Sequence, residues 1–176
     1  MTALHTDILG TGEPIVFIHG SFATTSTWRK MVDTLARDHQ CILFKLPGHG
    51  TAPAPDDYDA PTIDTELDRI DAAVRDITDR PVHLVGHSYG GMVALAMALR
   101  GTLPVRRLTL FEPVAVWVLD AAGDADMAAR VTAFVDRYRQ DAAAGVTHAC
   151  GQVLDFWGAP AASRRCRRRS RTPWRA

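Results

Sequence analysis

The sequence predicts an α/β domain in which a mostly parallel sheet is flanked by helices. Short apolar runs rich in β-branched residues alternate with segments of helical periodicity, as expected of repeated strand–helix–strand units. Chemically distinctive residues also follow four of the predicted strands directly, and the carboxyl ends of parallel strands form the edge at which such sheets bind ligands. These residues are His19-Gly20-Ser21, Gly48-His49-Gly50, Ser88 and Glu112-Pro113.

The predicted strands are short, and three of them are mostly apolar. Weak alternation predicts an edge strand near the N-terminus, whereas continuous apolar runs are typical of strands that are covered on both faces. The edge strand is expected over residues 4–9, and the others over 15–18, 41–44, 82–85 and 107–111.

Three helices are predicted between these strands. Residues 25–27 can cap the first, whose apolar face comprises Trp28, Met31, Val32 and Leu35. The second begins at Thr62, after a loop rich in proline and aspartate, and repeats apolar residues at steps of three and four. The third follows Ser88 and ends at Gly101; because it is apolar on nearly all sides, we expect it to be deeply buried.

The pattern beyond Pro113 is helical, with one helix capped by Asp124 and closed by Gly145 and another starting near Thr147. We therefore divide the chain into a core over residues 1–113, a helical segment over 114–158 and an arginine-rich tail over 159–176. The helical segment has two interpretations that the sequence supports equally: a lid over a cleft, or helices that cover the edge of the sheet.

Composition excludes several functional classes. The formal net charge is zero, but seven arginines lie within residues 163–176, so residues 1–162 carry a net charge of −7. An acidic body does not favour binding to nucleic acid or to an anionic membrane. The three cysteines are widely spaced and do not predict disulfides or a zinc site. Without a secretory signal or a membrane span, the chain is expected to be cytoplasmic. Its expected partner is a small-molecule substrate.

The segment Gly86-His87-Ser88-Tyr89-Gly90 lies at a predicted strand-to-helix junction. G-x-S-x-G in this context is a nucleophile elbow, a sharp turn that exposes the serine hydroxyl. The two glycines are needed because the strand and the helix approach too closely for side chains there. The partial positive charge at the start of the helix suits a developing oxyanion, so Ser88 is the candidate nucleophile.

Four motifs of the sequence occur in the same order as in the α/β-hydrolase fold family. The resemblance to that family covers about residues 4–157. The resemblance is carried by four pieces: the strand ending in His19-Gly20, the loop Leu46-Pro47-Gly48-His49-Gly50, the elbow, and the strand ending in Glu112-Pro113. It implies a serine hydrolase that cleaves an ester, thioester or amide through an acyl-enzyme on Ser88, with no metal or cofactor. It also implies an oxyanion hole made by the backbone N–H of Tyr89 and that of Ser21 or Phe22.

The resemblance is incomplete at the C-terminus, where the family supplies its catalytic acid and histidine after further strands. No strand-like run follows Phe111, so we expect the sheet to lack its last strands and to self-associate through an exposed edge. A Ser88–Asp120–His148 set fits the family order, although His148, the only histidine after Ser88, is better explained as a residue on a helix surface. Without a partnered histidine, the chain is expected to be weakly active or inactive.

The arginine-rich tail has three interpretations: an arm for nucleic acid or membrane, a disordered end, or the product of a reading-frame shift. The abrupt change after residue 158 fits the frame shift best. Three other functions remain open. They are a non-catalytic binding module on the same fold, a protein tethered to nucleic acid by the tail, and a perhydrolase that uses the same serine. Dehalogenases and epoxide hydrolases of this fold usually carry aspartate at the elbow, so Ser88 argues against both.

Overall fold

Five strands within residues 5–111 form a single sheet. The computed structural model describes residues 4–53, 62–147 and 151–158. The strand order is β1-β3-β2-β4-β5, in which β1 is antiparallel to β3 and all other neighbours are parallel. The predicted mostly parallel sheet is therefore confirmed. The strands are β1 (His5–Leu9), β2 (Glu13–Ile18), β3 (His39–Lys45), β4 (Val82–His87) and β5 (Val105–Phe111).

Helices follow the strands as the periodicity predicts. A 3-10 turn at Thr25–Trp28 precedes the first α-helix, and Thr62 begins the second by accepting a hydrogen bond from the Thr65 N–H at 3.4 Å. The third ends at Gly101, which takes the left-handed conformation. The helices are α1 (Arg29–Leu35), α2 (Ile63–Ile77), α3 (Tyr89–Arg100), α4 (Val118–Ala122), α5 (Ala125–Ala143) and α6 (Gly151–Trp157).

The central strands bury side chains on both faces, which explains why their sequences are mostly apolar. Alternate residues of β2, β3 and β4 point to opposite faces, so each face has its own core. The face covered by α2 and α3 includes Val16, Ile18, Ile42, Phe44, Leu84, Ile70, Val74, Val93 and Met97. The face covered by the 3-10 turn and α1 includes Ile15, Phe17, Cys41, Leu43, Val85, Trp28 and Val32.

Two details of the helices differ from the sequence prediction. Thr24, not residues 25–27, caps the first turn, and the tighter 3-10 geometry sets which residues of α1 face the sheet. Trp28 and Val32 are buried, but Met31 is 37% exposed. In α3, burial is confined to one side, and Leu99 near its C-terminal end is 76% exposed. An apolar sequence therefore did not guarantee burial at either position.

The chain divides into two compact units, Met1–Ala115 and Val116–Ala176. In the second unit, α5 begins where the Asp124 carboxylate accepts a hydrogen bond from the Met127 N–H at 3.0 Å, as predicted. Rings of α5 and α6 stack, with the centroids of Phe134 and Phe156 4.2 Å apart. The role of these helices as a lid stays a prediction, and the arginine-rich tail lies outside the described residues. No described helix is long and apolar enough to cross a membrane.

Candidate active site

Ser88 lies at the bend between β4 and α3, and its backbone is strained. Its φ of 53° and ψ of −120° belong to a region that residues with a side chain seldom adopt. Such strain persists only where the surrounding structure enforces it, and it concentrates at functional sites. The bend thus has the geometry expected of the elbow that the sequence predicts.

Backbone hydrogen bonds hold this bend on both sides. The Ser88 N–H donates to the carbonyl of Phe111 at the end of β5, at 2.9 Å. The Ser88 carbonyl accepts from the N–H groups of Gly91 at 3.0 Å, Met92 at 3.1 Å and Val114 at 3.2 Å. Because β5 and its following loop contribute two of these four bonds, the adjacent strand end helps to enforce the strained conformation.

The glycines on either side of Ser88 allow the close approach that the bend requires. A Cβ on Gly86 would lie 2.7 Å from the Cα of Gly91, and a Cβ on Gly90 would lie 2.7 Å from the carbonyl carbon of Ile18. Both distances are well inside van der Waals contact. The steric reason given for the two glycines is therefore present in the structure.

The hydroxyl of Ser88 remains available for chemistry. Ser88 is half-buried and occupies the N-cap position of α3, but its side chain makes no capping hydrogen bond. Within the described ranges, the hydroxyl has no hydrogen bond to a histidine. It stands at the positive end of a 12-residue helix, where negative charge is stabilised.

The loop that follows β2 borders Ser88. A Cβ added to Gly20 would lie 3.0 Å from the Cβ of Ser88, so this glycine is in contact with the elbow. Ser21 and Phe22 follow directly, and both are exposed. Tyr89, the third predicted contributor to the oxyanion hole, is the first residue of α3. The structure thus brings together the segments that carry all three residues, while their role as oxyanion donors stays a prediction.

Backbone strain marks the same edge of the sheet at three points. Among the described residues, the non-glycine positions with positive φ are Phe22 at 57°, Ser88 at 53° and Glu112 at 45°. They follow β2, β4 and β5 respectively, all within the first compact unit. The strain at Phe22 and Glu112 could not be predicted from the sequence, because residue type does not reveal a strained backbone. Its clustering supports placing a functional site at this edge.

His19, which the sequence analysis assigned only to the Gly-containing motif, is completely buried beside this loop. Its Nδ1 is 2.8 Å from the carbonyl oxygen of Gly20, and its Nε2 accepts a hydrogen bond from the Leu46 N–H at 3.1 Å. The ring of His49 packs against it edge-on, with the centroids 5.1 Å apart. Burial lowers the pKa of His19 below its usual value of 6.5; the hydrogen bond to the Gly20 carbonyl opposes this by raising the pKa, and proximity to His49 lowers it further.

The acid and base suggested for the triad are not tested by the described structure. Asp120 is exposed on α4, in the second compact unit. His148 lies outside the described residues, so the Ser88–Asp120–His148 set stays a prediction. In the described part of the chain, no three histidine, cysteine or acidic side chains come together as metal ligands.

Comparison with known proteins gives a consistent result. A family model described as the alpha/beta hydrolase family matches residues 15–176. The pimeloyl-[acyl-carrier protein] methyl ester esterase of Methylococcus capsulatus is 30% identical over 153 residues, or 86% of this chain and 56% of that protein. A haloalkane dehalogenase of Agrobacterium fabrum is 33% identical over 112 residues, or 63% of this chain and 36% of that protein.

The solved structures agree on the fold. The crystal structure of an alpha/beta hydrolase fold protein from Burkholderia ambifaria has a TM-score of 0.57 and 27% sequence identity, over 64% of this chain and 41% of that one. The chain therefore spans between about a third and just over half of the length of these three proteins.

Proposed function

The chain belongs to the alpha/beta hydrolase family, and we propose that it acts as a serine hydrolase of the esterase type with Ser88 as the nucleophile. The strained backbone of Ser88, beside the start of α3, is the observation that carries the proposal. The methyl ester esterase named among its relatives supports an ester as the substrate class. A serine at the elbow favours this chemistry over that of the dehalogenase relative.

The proposed reaction forms and then hydrolyses an acyl-enzyme. The Ser88 Oγ attacks the carbonyl carbon of an ester, thioester or amide while its proton passes to a base. The oxyanion accepts hydrogen bonds from the N–H of Tyr89 and from an N–H of the loop after Gly20, and each such donor contributes on the order of 10²–10³ to the rate. The protonated alcohol, thiol or amine departs, and water then releases the acid.

Removal of the Ser88 proton is the step at which we expect this chain to be weak. A serine hydroxyl needs an adjacent base to be an effective nucleophile at neutral pH. Six of the seven histidines precede Ser88 in the sequence, and His19 uses both ring nitrogens in hydrogen bonds to the backbone. In the family the base follows the nucleophile along the chain, so we take His148, the only histidine after Ser88, as the candidate base and Asp120 as the acid that orients it.

A fluorophosphonate probe tests the nucleophile because it modifies activated serines covalently. We expect wild-type protein to be labelled and Ser88→Ala to lose the labelling, whereas Ser26→Ala, an exposed serine in the 3-10 turn, retains it. Wild-type protein and Ser26→Ala should also hydrolyse p-nitrophenyl esters of short and medium acyl chains at a low rate, whereas Ser88→Ala should not. His148→Gln should slow both reactions if His148 is the base.

The opposite outcomes are equally informative. A folded wild-type protein that is not labelled at Ser88 would contradict the hydrolase proposal and would favour a binding module on the same fold. Serine-dependent bromination of an added acceptor in the presence of hydrogen peroxide, bromide and a short carboxylic acid, at a rate above that of ester hydrolysis, would instead identify a perhydrolase.

A further inference from the structure

We propose that Arg107, His83 and Thr109 form a binding site for an oxyanion, the group carried by a phosphate ester or a carboxylic acid. The site lies on the face of the sheet that carries Val85, over β4 and β5. His83 is near the start of β4, whereas Ser88 follows the end of that strand. The site is therefore separate from the proposed nucleophile, and the inference does not depend on the chain being a hydrolase.

A β-bulge places Arg107 beside His83. The register of β4 and β5 shifts by one residue between Val82 and His83. Arg106 is consequently an extra residue in β5, and His83 pairs with Arg107. Bulges change the direction of the side chains that follow them. Regular pairing would have made Arg106 the neighbour of His83, so the bulge decides which of two adjacent arginines faces the histidine.

All three side chains lie on one face of the sheet. Thr109 pairs with Val85, which belongs to the core on the face of the 3-10 turn and α1. Because side chains alternate along a strand, His83 and Arg107 share this face. The 2.8 Å hydrogen bond between Nε2 of His83 and the Thr109 hydroxyl agrees with this placement. The 3-10 turn and α1 pack mainly on β2 and β3, so Arg107 stays exposed and a ligand can reach it.

Arg107 carries a positive charge that no acidic side chain of the described ranges neutralises. The neighbouring Arg106 is paired with the Glu13 carboxylate, whereas Arg107 forms no ion pair there. Burial lowers the pKa of His83, and the charges of Arg107 and His39 lower it further. A cation beside a half-buried imidazole disfavours the charged ring. An anion bound between the two groups would offset this repulsion.

The three side chains also supply suitable hydrogen-bond donors. A guanidinium presents parallel N–H groups that match two oxygens of a carboxylate or a phosphate. If Thr109 donates to Nε2 of His83, the neutral ring keeps its proton on Nδ1; if Nε2 donates, the hydroxyl keeps its own proton. Either assignment leaves one neutral donor that this hydrogen bond does not use. Partial burial of the pair strengthens a bond to an anion, because water competes less.

Titration with inorganic phosphate and, in a separate sample, with acetate tests the site directly. The sample is ¹⁵N-labelled wild-type protein near neutral pH, and chloride keeps the ionic strength constant. At least one of the two anions should shift the ring resonances of His83 and the amide resonances of β5 until the shifts saturate. The anion that binds more tightly identifies the ligand as a phosphate or a carboxylate. Shifts that saturate with neither anion, or that chloride alone reproduces, would overturn the proposal.

Arg107→Gln and Arg106→Gln form a matched pair of variants. Each removes one positive charge from β5, so their long-range electrostatic effects on an anion are the same. Arg107→Gln should weaken binding by about tenfold or more, because a hydrogen-bonded charge is lost. Arg106→Gln should keep the dissociation constant within about threefold of wild type, because that arginine is engaged by Glu13. Equal weakening by the two variants would refute a specific site.

The pKa of His83 provides a second readout that loss of surface charge alone would not reproduce. A bound anion should raise this pKa in the wild-type protein, because it favours the charged ring. Arg107→Gln should itself raise the pKa by removing a repulsive charge, and the anion should then add little. A pKa of His83 that does not respond to the anion in the wild-type protein would contradict the placement of the ligand beside this ring.

Discussion

The backbone of Gly90 in α3 lies directly against Ile18 at the end of β2, with no room for a methyl group between them. A Cβ on Gly90 would be 2.7 Å from the Ile18 carbonyl carbon, and one on Gly86 would be 2.7 Å from the Gly91 Cα. The elbow and the end of β2 therefore form one rigid contact. Any side chain at these glycines must displace backbone, which packed interiors resist.

Replacing Gly86 by alanine should destabilise the fold strongly. Its new methyl group would meet backbone atoms that cannot move independently, so we expect a loss of about 3 kcal/mol or more in the free energy of unfolding. Gly101→Ala is the control. A Cβ built on Gly101 would have no neighbouring atom within 4 Å, so only the backbone φ of 68° is unfavourable for alanine. That strain costs about 1–2 kcal/mol. Urea denaturation of both variants measures the difference, and equal losses would contradict the steric explanation.

Stability should fall as the pH drops below about 6.5, the usual pKa of histidine. Burial lowers the pKa of His19 and of His83, and nearby charge on Arg107 and His39 lowers that of His83 further. A lowered pKa means that the unfolded chain binds more protons, so stability rises with pH through this window and is fully present above it. Denaturant midpoints between pH 5 and pH 8 measure the slope.

His83→Gln should make that slope shallower by removing one of the two groups. The variant keeps a polar side chain near Thr109, whose hydroxyl is 2.8 Å from Nε2 of His83. A slope that is unchanged in His83→Gln, or one of opposite sign in the wild-type protein, would show that this histidine does not have a lowered pKa.

Self-association through the edge of the sheet is the third prediction. Within the described residues β5 pairs only with β4, and Phe111 at its end is 40% exposed although its ring lies 6.0 Å from that of Trp28. Unpaired strand edges with exposed apolar residues favour pairing with another chain. Phe111→Lys should shift the protein toward monomer in sedimentation velocity, because lysine opposes edge pairing.

Leu99→Lys provides the matched control for this experiment. Leu99 is more exposed than Phe111, at 76%, but lies on α3 and not on an edge strand. Its substitution should leave the distribution of species unchanged. A wild-type protein that is monomeric at all concentrations, or equal effects of the two lysines, would count against association through β5.

The regular elements could be predicted because each carries a local signal. The apolar run at residues 15–18 forms the C-terminal part of β2, and the apolar residues spaced three and four apart from Ile63 to Ile77 lie in α2. Water favours the burial of an apolar face whichever element covers it, so the spacing of apolar residues predicts the element without knowledge of its neighbour. The elbow was predictable for a related reason: two glycines around a serine, between a strand and a helix, permit a turn that other residues obstruct.

The details that the sequence did not reveal depend on neighbours that are distant in the chain. Met31 and Leu99 are apolar but exposed, because exposure depends on which elements cover them. The positive φ of Phe22 cannot be predicted from its residue type. His19 belonged to a recognisable motif, yet its bond to Leu46 joins residues 27 positions apart.

The order of apolar and polar residues by itself determined the class of fold, the place of Ser88 at a strand-to-helix turn and the edge of the sheet where chemistry would occur. Those features follow from local preferences and from the burial of apolar surface. Only the tertiary structure decided that Ser88 is strained, that His19 is fully buried and that its Nε2 accepts a hydrogen bond from the Leu46 N–H. Each of these results from a contact between separate strands, and such contacts exist only once the sheet has assembled.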